Sequence, residues 1–343
     1  MKKQKFNFFE KGIINFLLYF PFFNRVVFDF EKVFFKKNFN LDKKVFIFGL
    51  PRSGTSILLN KIYETNTFAS LTYENMPFVM SPLIWRKISK IFIKKNKKSE
   101  RMHGDRIKID NKSPEAFDEV FWLTFEKKNF IVSDILKVHN ISNETLEDYE
   151  KYVEMVCQSY NKKKYISKNN NNILRINKLL SLSGDNLFII MYRDPLNHIH
   201  SLKKQFFNFL DLHKNNFFYQ NYFNYLGHYE FGLTHKHYEF LTNKSQDYKD
   251  NFFWLSKWKD TYLYLKKFSH SNIFFLSYED FCKNPHHFFK SFLDDYEINK
   301  IRTDDIENHN VSFKNENLSE KETKILEDCN KIYDNLRNIK SII

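Results

Sequence analysis

Residues 45–60 read VFIFGLPRSGTSILLN. An apolar run enters a turn that contains Gly49 and Gly54, and a helical pattern leaves it. The two glycines have the spacing of a phosphate-binding loop, in which a helix N-terminus directs its N–H groups and positive dipole end at an anion. The residue after Gly54 is Thr55, where loops that hydrolyse ATP or GTP carry lysine.

Arg52 stands two residues before Gly54 and supplies a charge where that lysine is missing. Its planar guanidinium suits a single phosphate group. We therefore predict that Arg52, Ser53, Gly54, Thr55 and Ser56 hold an isolated phosphate and not the polyphosphate tail of ATP. An ordinary strand–turn–helix is the alternative interpretation.

Short apolar and aromatic runs alternate with helical patterns along the rest of the chain. We expect strands at 45–49, 68–72, 164–168, 187–192 and 272–278, and helices at 56–64, 77–93, 115–126, 143–161, 197–209, 250–269, 285–294 and 319–338. This alternation predicts an α/β fold, a phosphate-loop-containing three-layer arrangement with a central parallel sheet flanked by helices. Residues 41–340 are expected to form a single domain, with 95–115 and 210–250 as insertions without a clear strand.

A second strand-to-helix junction occurs at Leu187–Leu202, which reads LFIIMYRDPLNHIHSL. Arg193 follows an apolar run typical of a buried strand, and Ser201 lies eight residues later on the early turns of the expected helix. Open α/β sheets bind ligands in the crevice outside the carboxyl ends of their strands. Arg193 and Ser201 are therefore predicted to form a second, separate phosphate site.

Both motifs resemble those of the sulfotransferase superfamily, whose donor is 3′-phosphoadenosine 5′-phosphosulfate (PAPS). Arg52 in PRSGTS is similar to the loop for the 5′-phosphosulfate, and Arg193 with Ser201 in YRDPLNHIHS to the motif for the 3′-phosphate. YEDFCKNP at Tyr278–Pro285 is similar to the third region of the superfamily. The chain lacks the GxxGxxK segment of the soluble small-molecule enzymes. It looks closer to the PRSGT branch, which includes bacterial carbohydrate and tyrosylprotein sulfotransferases.

The chemistry of this family requires a base for the acceptor hydroxyl. The resemblance implies Glu74, in SLTYENMPF, because it follows the phosphate loop by about the distance seen for the catalytic glutamate of the tyrosylprotein branch. A cap for a helix beginning near Pro77 is the alternative role. His103, in RMHGD, is the rival base, since histidine has this role in other branches.

Lys168 ends an expected strand, at a position that resembles the KTP-type lysine of carbohydrate sulfotransferases. With Arg52, it is expected to stabilise the departing phosphate. The segment Ser113–Trp122, SPEAFDEVFW, carries carboxylates beside aromatic side chains. That combination suits a sugar or amine acceptor, and an ordinary amphipathic helix is the alternative.

The N-terminal segment, residues 1–40, has lysines followed by the apolar run IINFLLYFPFF. Eleven apolar residues are fewer than the roughly 20 needed to span a bilayer. We expect an amphipathic segment that packs on the domain, with contact to a membrane surface as the alternative. The expected location is cytoplasmic, with membrane association if that contact forms.

The net charge of +13 favours polyanionic partners, but part of the lysine excess is typical of a genome poor in G and C. Cys157, Cys282 and Cys329 have no metal-site spacing, and His198 and His200 have no third ligand, so no metal is expected.

The sequence thus predicts a PAPS-dependent sulfotransferase with a hydroxyl-bearing acceptor, expected to be a glycan, and no nucleic-acid partner. The alternatives are an ATP-dependent kinase of a small molecule and a protein that binds nucleic acid or membranes through charge alone.

Overall fold

The computed structural model describes residues 8–35, 39–92, 98–100, 107–268, 270–291, 293–303, 306 and 317–339. Strands β1 to β10 in these residues are Lys43–Phe48, Phe68–Ala69, Ser99–Glu100, Lys108–Ile109, Ile131–Val132, Ile135–Leu136, Lys164–Lys168, Asn186–Tyr192, His237–Tyr238 and Ile273–Ser277. Helices α1 to α15 are Phe8–Tyr19, Pro21–Glu31, Thr55–Glu64, Ile84–Phe92, Glu119–Phe125, Lys127–Phe130, Asn143–Tyr160, Ile176–Leu179, Pro195–Asn215, Phe217–Tyr225, Asn251–Lys266, Tyr278–Lys283, Pro285–Lys290, Asp295–Ile298 and Glu320–Asn338.

The central sheet has the strand order β10-β8-β1-β7-β2 in the described part of the chain, and all its pairings are parallel. This confirms the predicted α/β class. In β1, Ile47 lies opposite Lys168 of β7 on one side and Ile189 of β8 on the other. The carboxyl ends of these three strands therefore meet at one edge of the sheet.

Alternate residues of β1 pack into two different hydrophobic cores. Phe46 and Phe48 belong to the larger core, together with residues of α7 and α11. Val45 and Ile47 belong to the smaller core, together with residues of α3, α12 and α13. Side chains point to opposite faces along a strand, so the sheet is covered by helices on both faces, as a three-layer fold requires.

Several predicted elements are shorter than expected, among them the edge strand and the helix that follows it. The edge strand β2 ends at Ala69 because the chain then pairs with residues 113–115, with a bridge between Thr72 and Pro114. The helix expected from residue 77 begins at Ile84. Pro82 is one physical reason, since proline is disfavoured inside a helix, where it removes a backbone donor and crowds the preceding turn.

The two predicted insertions contain short strands in their described parts, contrary to expectation. β3 pairs with β4, and β9 pairs with β6. None of these strands joins the central sheet.

The N-terminal helices α1 and α2 contribute Ile14, Leu17 and Phe28 to the larger core. No single helix of the described residues is long and apolar enough to cross a membrane. Residues 11–19 and 21–34 together are long and apolar enough to span a membrane, but the two segments meet at a bend of 95°.

Candidate active site

The turn after β1 is shaped by two glycines that cannot be replaced without movement. A Cβ added to Gly49 would lie 2.1 Å from the backbone oxygen of Met191, and one added to Gly54 would lie 2.4 Å from the ring of Tyr278. Gly54 also has a φ of 95° and precedes the first residue of α3. The first N–H groups of a helix have no partner within the helix, so this close-packed turn presents backbone donors at the carboxyl edge of the sheet.

Arg52 lies inside this turn with a φ of 73°, a backbone conformation that L-residues seldom adopt. Its Nε donates to Oγ of Ser201 over 3.2 Å. The ring of His198 donates from Nε2 to the carbonyl of Pro51 over 2.8 Å. Burial, together with the nearby charges of Arg193 and Arg52, lowers the pKa of His198 to about 3, although its hydrogen bond to Pro51 acts in the opposite direction. A neutral His198 thus attaches the early turns of α9 to the phosphate loop.

The other residues of the loop have different surroundings. The side chain of Ser53 is fully buried, and its N–H donates to the carbonyl of Leu50 over 3.3 Å. Thr55 is buried at the first position of α3, whereas Ser56 is half-buried. Ser53 therefore lies inside the loop, and Ser56 is more exposed than Ser53 or Thr55.

Arg193 directly follows β8, and its guanidinium lies over the ring of Tyr278, 4.9 Å from the ring centre. Its Nε is 4.0 Å from Oε1 of Glu279, too far for a hydrogen bond. That buried Nε has no hydrogen-bond partner among the described residues. The carbonyl of Arg193 accepts from the indole of Trp258 over 3.2 Å. The residue is thus fixed at its backbone while a guanidinium donor remains available.

The two arginines follow adjacent strands of the sheet, since β1 pairs directly with β8. The sequence assigned Ser201 to the phosphate site of Arg193, but in the structure Ser201 contacts Arg52. The two predicted phosphate sites therefore share a boundary.

Lys168 ends β7 beside the strand that leads into the phosphate loop. Its neighbour Asn169 donates from its backbone N–H to the carbonyl of Ile47 over 3.0 Å. Nζ of Lys168 lies 3.7 Å from Oε1 of Glu115, and both side chains are almost fully buried. This places a cation one strand away from the loop.

A second carboxylate, Glu230, also lies near Lys168. Burial would raise the pKa of Glu230, but the attraction and hydrogen bond of His228, together with the charge of Lys168, hold it at about 2. His228 Nδ1 is 3.4 Å from Oε2 of Glu230, and Asn170 donates to its Oε1 over 3.4 Å. Lys168 thus borders a polar cluster formed by Glu115, Glu230, His228 and Asn170.

Glu74 lies in a 3-10 turn after the edge strand β2, and its N–H donates to Oγ1 of Thr72 over 3.3 Å. The strand of Lys168 separates β2 from β1. Because neighbouring strands are about 4.8 Å apart, Glu74 follows a strand roughly 10 Å from the loop strand. Among its electrostatic neighbours are Tyr63 and Tyr160, and its charge is a minor cause of their raised pKa values, after burial as the main cause.

The alternative role for Glu74, capping the next helix, belongs to Glu31 instead. Its carboxylate accepts from the N–H groups of Leu83 and Ile84, each over 2.8 Å, and also from Ser81. Glu31 therefore caps α4.

The aromatic side chains of the segment at 113–122 belong to the core. Phe117, Phe121 and Trp122 are fully buried. The carboxylates Glu115, Asp118 and Glu119 are buried as well, so this segment is part of the interior, without the exposed polar face of an amphipathic helix. Glu115 lies beside Lys168. His103 lies outside the described residues.

A cavity of about 780 Å³ opens between β10, α12 and α15, with Tyr192, Asp280 and Arg337 in its lining. No residue of the phosphate loop lines it. The described residues hold no group of three or more His, Cys, Asp or Glu side chains that could bind a metal ion. The candidate site therefore rests on the loop, the two arginines and Lys168.

A model of the sulfotransferase family matches residues 44–299 of the sequence. The chain belongs to the sulfotransferase family. The match includes the phosphate loop, Lys168, Arg193 and Ser201. No curated protein matches the sequence.

Among solved structures, sulfotransferase STF1 from Mycobacterium tuberculosis H37Rv is similar, with a TM-score of 0.55 and 11% identity over 92% of this chain and 84% of that one. Sulfotransferase STF9 from Mycobacterium avium has a TM-score of 0.48 and 10% identity over 88% of this chain and 78% of that one. At such low identity the first of these likenesses shows the shared fold alone.

Sequence reasoning missed Glu230 and His228 and gave Tyr278 no individual role. Tyr278 lay within the third region of the resemblance, so a signal existed for it. Glu230 and His228 follow α10, about sixty residues after Lys168, and no local pattern distinguishes them from other polar loop residues.

Proposed function

We propose that this sulfotransferase moves the sulfuryl group of PAPS to a hydroxyl of a carbohydrate. The observation that supports the donor best is the position of Arg52 and Arg193 after two adjacent parallel strands. A donor with two separated phosphate groups needs two cationic sites at one edge of a sheet, and these arginines offer them.

The donor fits the residues present. The turn at Gly49 and Gly54 leaves no space for side chains, so an anion would meet backbone N–H groups at the start of α3. Arg52 and the loop from Ser53 to Ser56 would hold the 5′-phosphosulfate. The buried Nε of Arg193, which has no hydrogen-bond partner among the described residues, suits the 3′-phosphate. Ser201 would serve that phosphate after leaving Arg52.

PAPS supplies an activated sulfuryl group on a good phosphate leaving group. Glu74 takes the proton of the acceptor hydroxyl as the acceptor oxygen bonds to sulfur. The electron pair of the breaking sulfur–oxygen bond stays on the 5′-phosphate, so the products are the sulfate ester and adenosine 3′,5′-bisphosphate. Lys168 and Arg52 stabilise the charge that develops on that phosphate.

The polar cluster beside Lys168 supports a hydroxyl-rich acceptor. Glu115 and Glu230 offer carboxylate acceptors, and Asn170 offers an amide. Side chains of this kind bind sugar hydroxyls by hydrogen bonds.

The donor is tested by titrating the protein with adenosine 3′,5′-bisphosphate, AMP and ATP while its melting temperature is recorded. We expect the bisphosphate to stabilise the fold most, because only this ligand engages both arginines. A ligand at 100 times its dissociation constant adds about 2.7 kcal/mol. Equal increases in melting temperature with the bisphosphate and with AMP would contradict a second phosphate site. A larger, magnesium-dependent increase with ATP would favour a kinase.

The base is tested with Glu74→Gln, with His103→Ala as the rival variant. With an acceptor that the parent enzyme sulfates, Glu74→Gln should lower turnover by about 100-fold or more, because an amide cannot take a proton. Donor affinity should stay unchanged. Near-normal turnover in Glu74→Gln with a large loss in His103→Ala would give the role to His103.

A further inference from the structure

Exposed apolar side chains are concentrated in the two N-terminal helices. Among the described residues, fourteen large hydrophobic side chains are exposed, and nine of them lie between residues 16 and 34. We call the aromatic members the aromatic patch: Phe16, Tyr19, Phe20, Phe22, Phe23, Phe30 and Phe34. A concentration of this kind marks an interaction surface, whereas single exposed apolar residues are ordinary.

The two sides of α2 have the reverse of the usual polarity. Its buried stripe contains Asn24, Phe28 and Glu31, so two of its three inward residues are polar. Its outward stripe contains Phe22 and Phe30, which are 75% and 57% exposed. The surface helix of a water-soluble protein buries its apolar face and exposes its polar one. The outward face of α2 is therefore suited to an apolar environment.

The inward carboxylate of Glu31 has defined partners, which fixes this orientation. Glu31 accepts from Ser81 and from the first N–H groups of α4, with 2.8 Å to both Leu83 and Ile84. Rotation of α2 about its axis would expose Phe28, bury its apolar outward stripe and break the Glu31 contacts. The apolar face cannot turn inward without these losses.

The ring contacts hold the patch together across the bend between the two helices. Phe16 of α1 lies 5.0 Å from Phe20 and 5.5 Å from Phe23 of α2. Phe30 and Phe34 form a second pair at 5.3 Å. Phenylalanine is typical of the apolar face of helices that lie at the boundary between lipid headgroups and acyl chains.

The charge of the segment indicates which occupant covers the patch. Residues 1–40 contain eight basic and three acidic residues. Exposed Arg25 lies on the same helix as Phe22, and Lys11 is half-buried on α1. A second copy would bring two positive segments together, and their repulsion opposes such a dimer. An anionic lipid surface attracts the segment and accommodates its apolar side chains.

We propose that the aromatic patch binds the surface of an anionic lipid bilayer, with α1 and α2 lying in the headgroup region. This goes beyond the proposed function and does not depend on it. The helices rest on elements of the acceptor side: Phe28 packs against Phe121 of α5, and Asn15 accepts from Asn221 of α10. Membrane docking would thus hold the polar cluster near the lipid surface.

The experiment is vesicle co-sedimentation of the full chain with phosphatidylcholine vesicles and with vesicles that also contain phosphatidylglycerol. We expect binding to the mixed vesicles, with weaker binding at high salt because the attraction is partly electrostatic. The variant Phe22→Ser/Phe30→Ser/Val33→Ser removes three outward side chains and should weaken binding about tenfold or more. The control, Phe217→Ser/Leu233→Ser, removes two comparably exposed side chains elsewhere and should bind as the parent does.

Two outcomes would overturn the proposal. One is equal vesicle binding by the parent and the triple variant, which would show that the patch does not contact lipid. The other is a parent that is a dimer by light scattering without lipid and a triple variant that is a monomer, since a second copy would then cover the patch. Circular dichroism of the triple variant keeps a folding defect distinct from a loss of binding.

Discussion

Arg175 and Arg193 are both largely buried arginines beside a glutamate, and they differ in how completely their hydrogen bonds are used. Arg175 donates from Nη1 and Nη2 to Glu119 over 2.6 Å and 2.9 Å, and from Nε to Nδ1 of His139 over 3.2 Å. Burial, and then the charge of Arg175, keep the pKa of His139 well below its usual value, so this ring accepts the bond. Arg193 keeps a buried Nε without a hydrogen-bond partner in the described structure.

This difference supports a structural role for Arg175 and the proposed phosphate-binding role for Arg193. Every edge of the Arg175 guanidinium is engaged inside the protein, and the residue is 0% exposed. Arg193 is positioned by the ring of Tyr278 and by a contact of 4.0 Å to Glu279, neither of which saturates its donors. A buried donor without a partner carries a free-energy cost that an anionic ligand would remove.

The largest effect is expected for Arg175→Met, which leaves the carboxylate of Glu119 buried without its cation. Breaking a buried ion pair by removing one partner costs about 3–5 kcal/mol. We expect the free energy of unfolding, measured in urea, to fall by that amount.

The control for this prediction is the double variant Arg175→Met/Glu119→Gln. The glutamine is neutral and still offers an oxygen to the amide of Asn169, which donates to Glu119 over 2.7 Å in the parent. Part of the lost stability should therefore return. If Arg175→Met alone were as stable as the parent, Arg175 would not have the structural role assigned to it.

The second effect is expected for Arg193→Met, and it concerns affinity. Hydrogen bonds to charged groups contribute about 1.5–3 kcal/mol, so the affinity for adenosine 3′,5′-bisphosphate should fall by about 10- to 150-fold, as measured by calorimetry. Affinity for AMP should change little, because AMP lacks the 3′-phosphate. The free energy of unfolding should stay within about 1 kcal/mol of the parent value, since methionine can keep contact with Tyr278. A large loss of stability with an unchanged preference for the bisphosphate would show that Arg193 has a structural role and does not bind the 3′-phosphate.

Much of the fold could be predicted because its signals are local. Four of the five central strands are short runs of mostly apolar residues, and β7, which reads KYISK, was still predicted with its observed bounds, Lys164–Lys168. The phosphate loop could be located because its two glycines have a fixed spacing. The end of β2 could not, because it is set by pairing with residues more than forty positions later.

The less predictable part of the site depends on contacts between distant segments. The bond from Arg52 to Ser201 joins residues 149 positions apart, and the bond from Asn170 to Glu230 joins residues 60 positions apart. In sequence, Arg175 and Arg193 are simply two of nine arginines. Only packing shows that one is saturated and the other is not.

The smallest expected effect is a change in the pH dependence of stability when Asp118 is replaced. It tests whether Glu119 already neutralises the charge of Arg175. Burial, and then the charge of Glu119, raise the pKa of Asp118 to about 6, although Arg175 and the hydroxyl of Tyr149 act in the opposite direction. The folded state thus holds a proton on Asp118 that the unfolded chain loses near pH 4. Folded protein binds more protons between these two values, so the free energy of unfolding falls as the pH rises from about 4 through 6.

Asp118→Asn removes this titration and keeps an oxygen that can accept from Tyr149, which donates to Asp118 over 3.2 Å. The stability of the variant relative to the parent should therefore improve by about 1–2 kcal/mol between pH 4 and pH 7, because only the parent acquires an uncompensated buried charge. Urea unfolding at several pH values measures the difference, and other titrating groups largely cancel in it. A difference that is constant with pH would mean that Asp118 is already ionised at pH 4. The positive charge of Arg175 would then have to compensate both carboxylates, that of Asp118 and that of Glu119. Arg175 would then serve two carboxylates, and its contrast with Arg193 would be still larger.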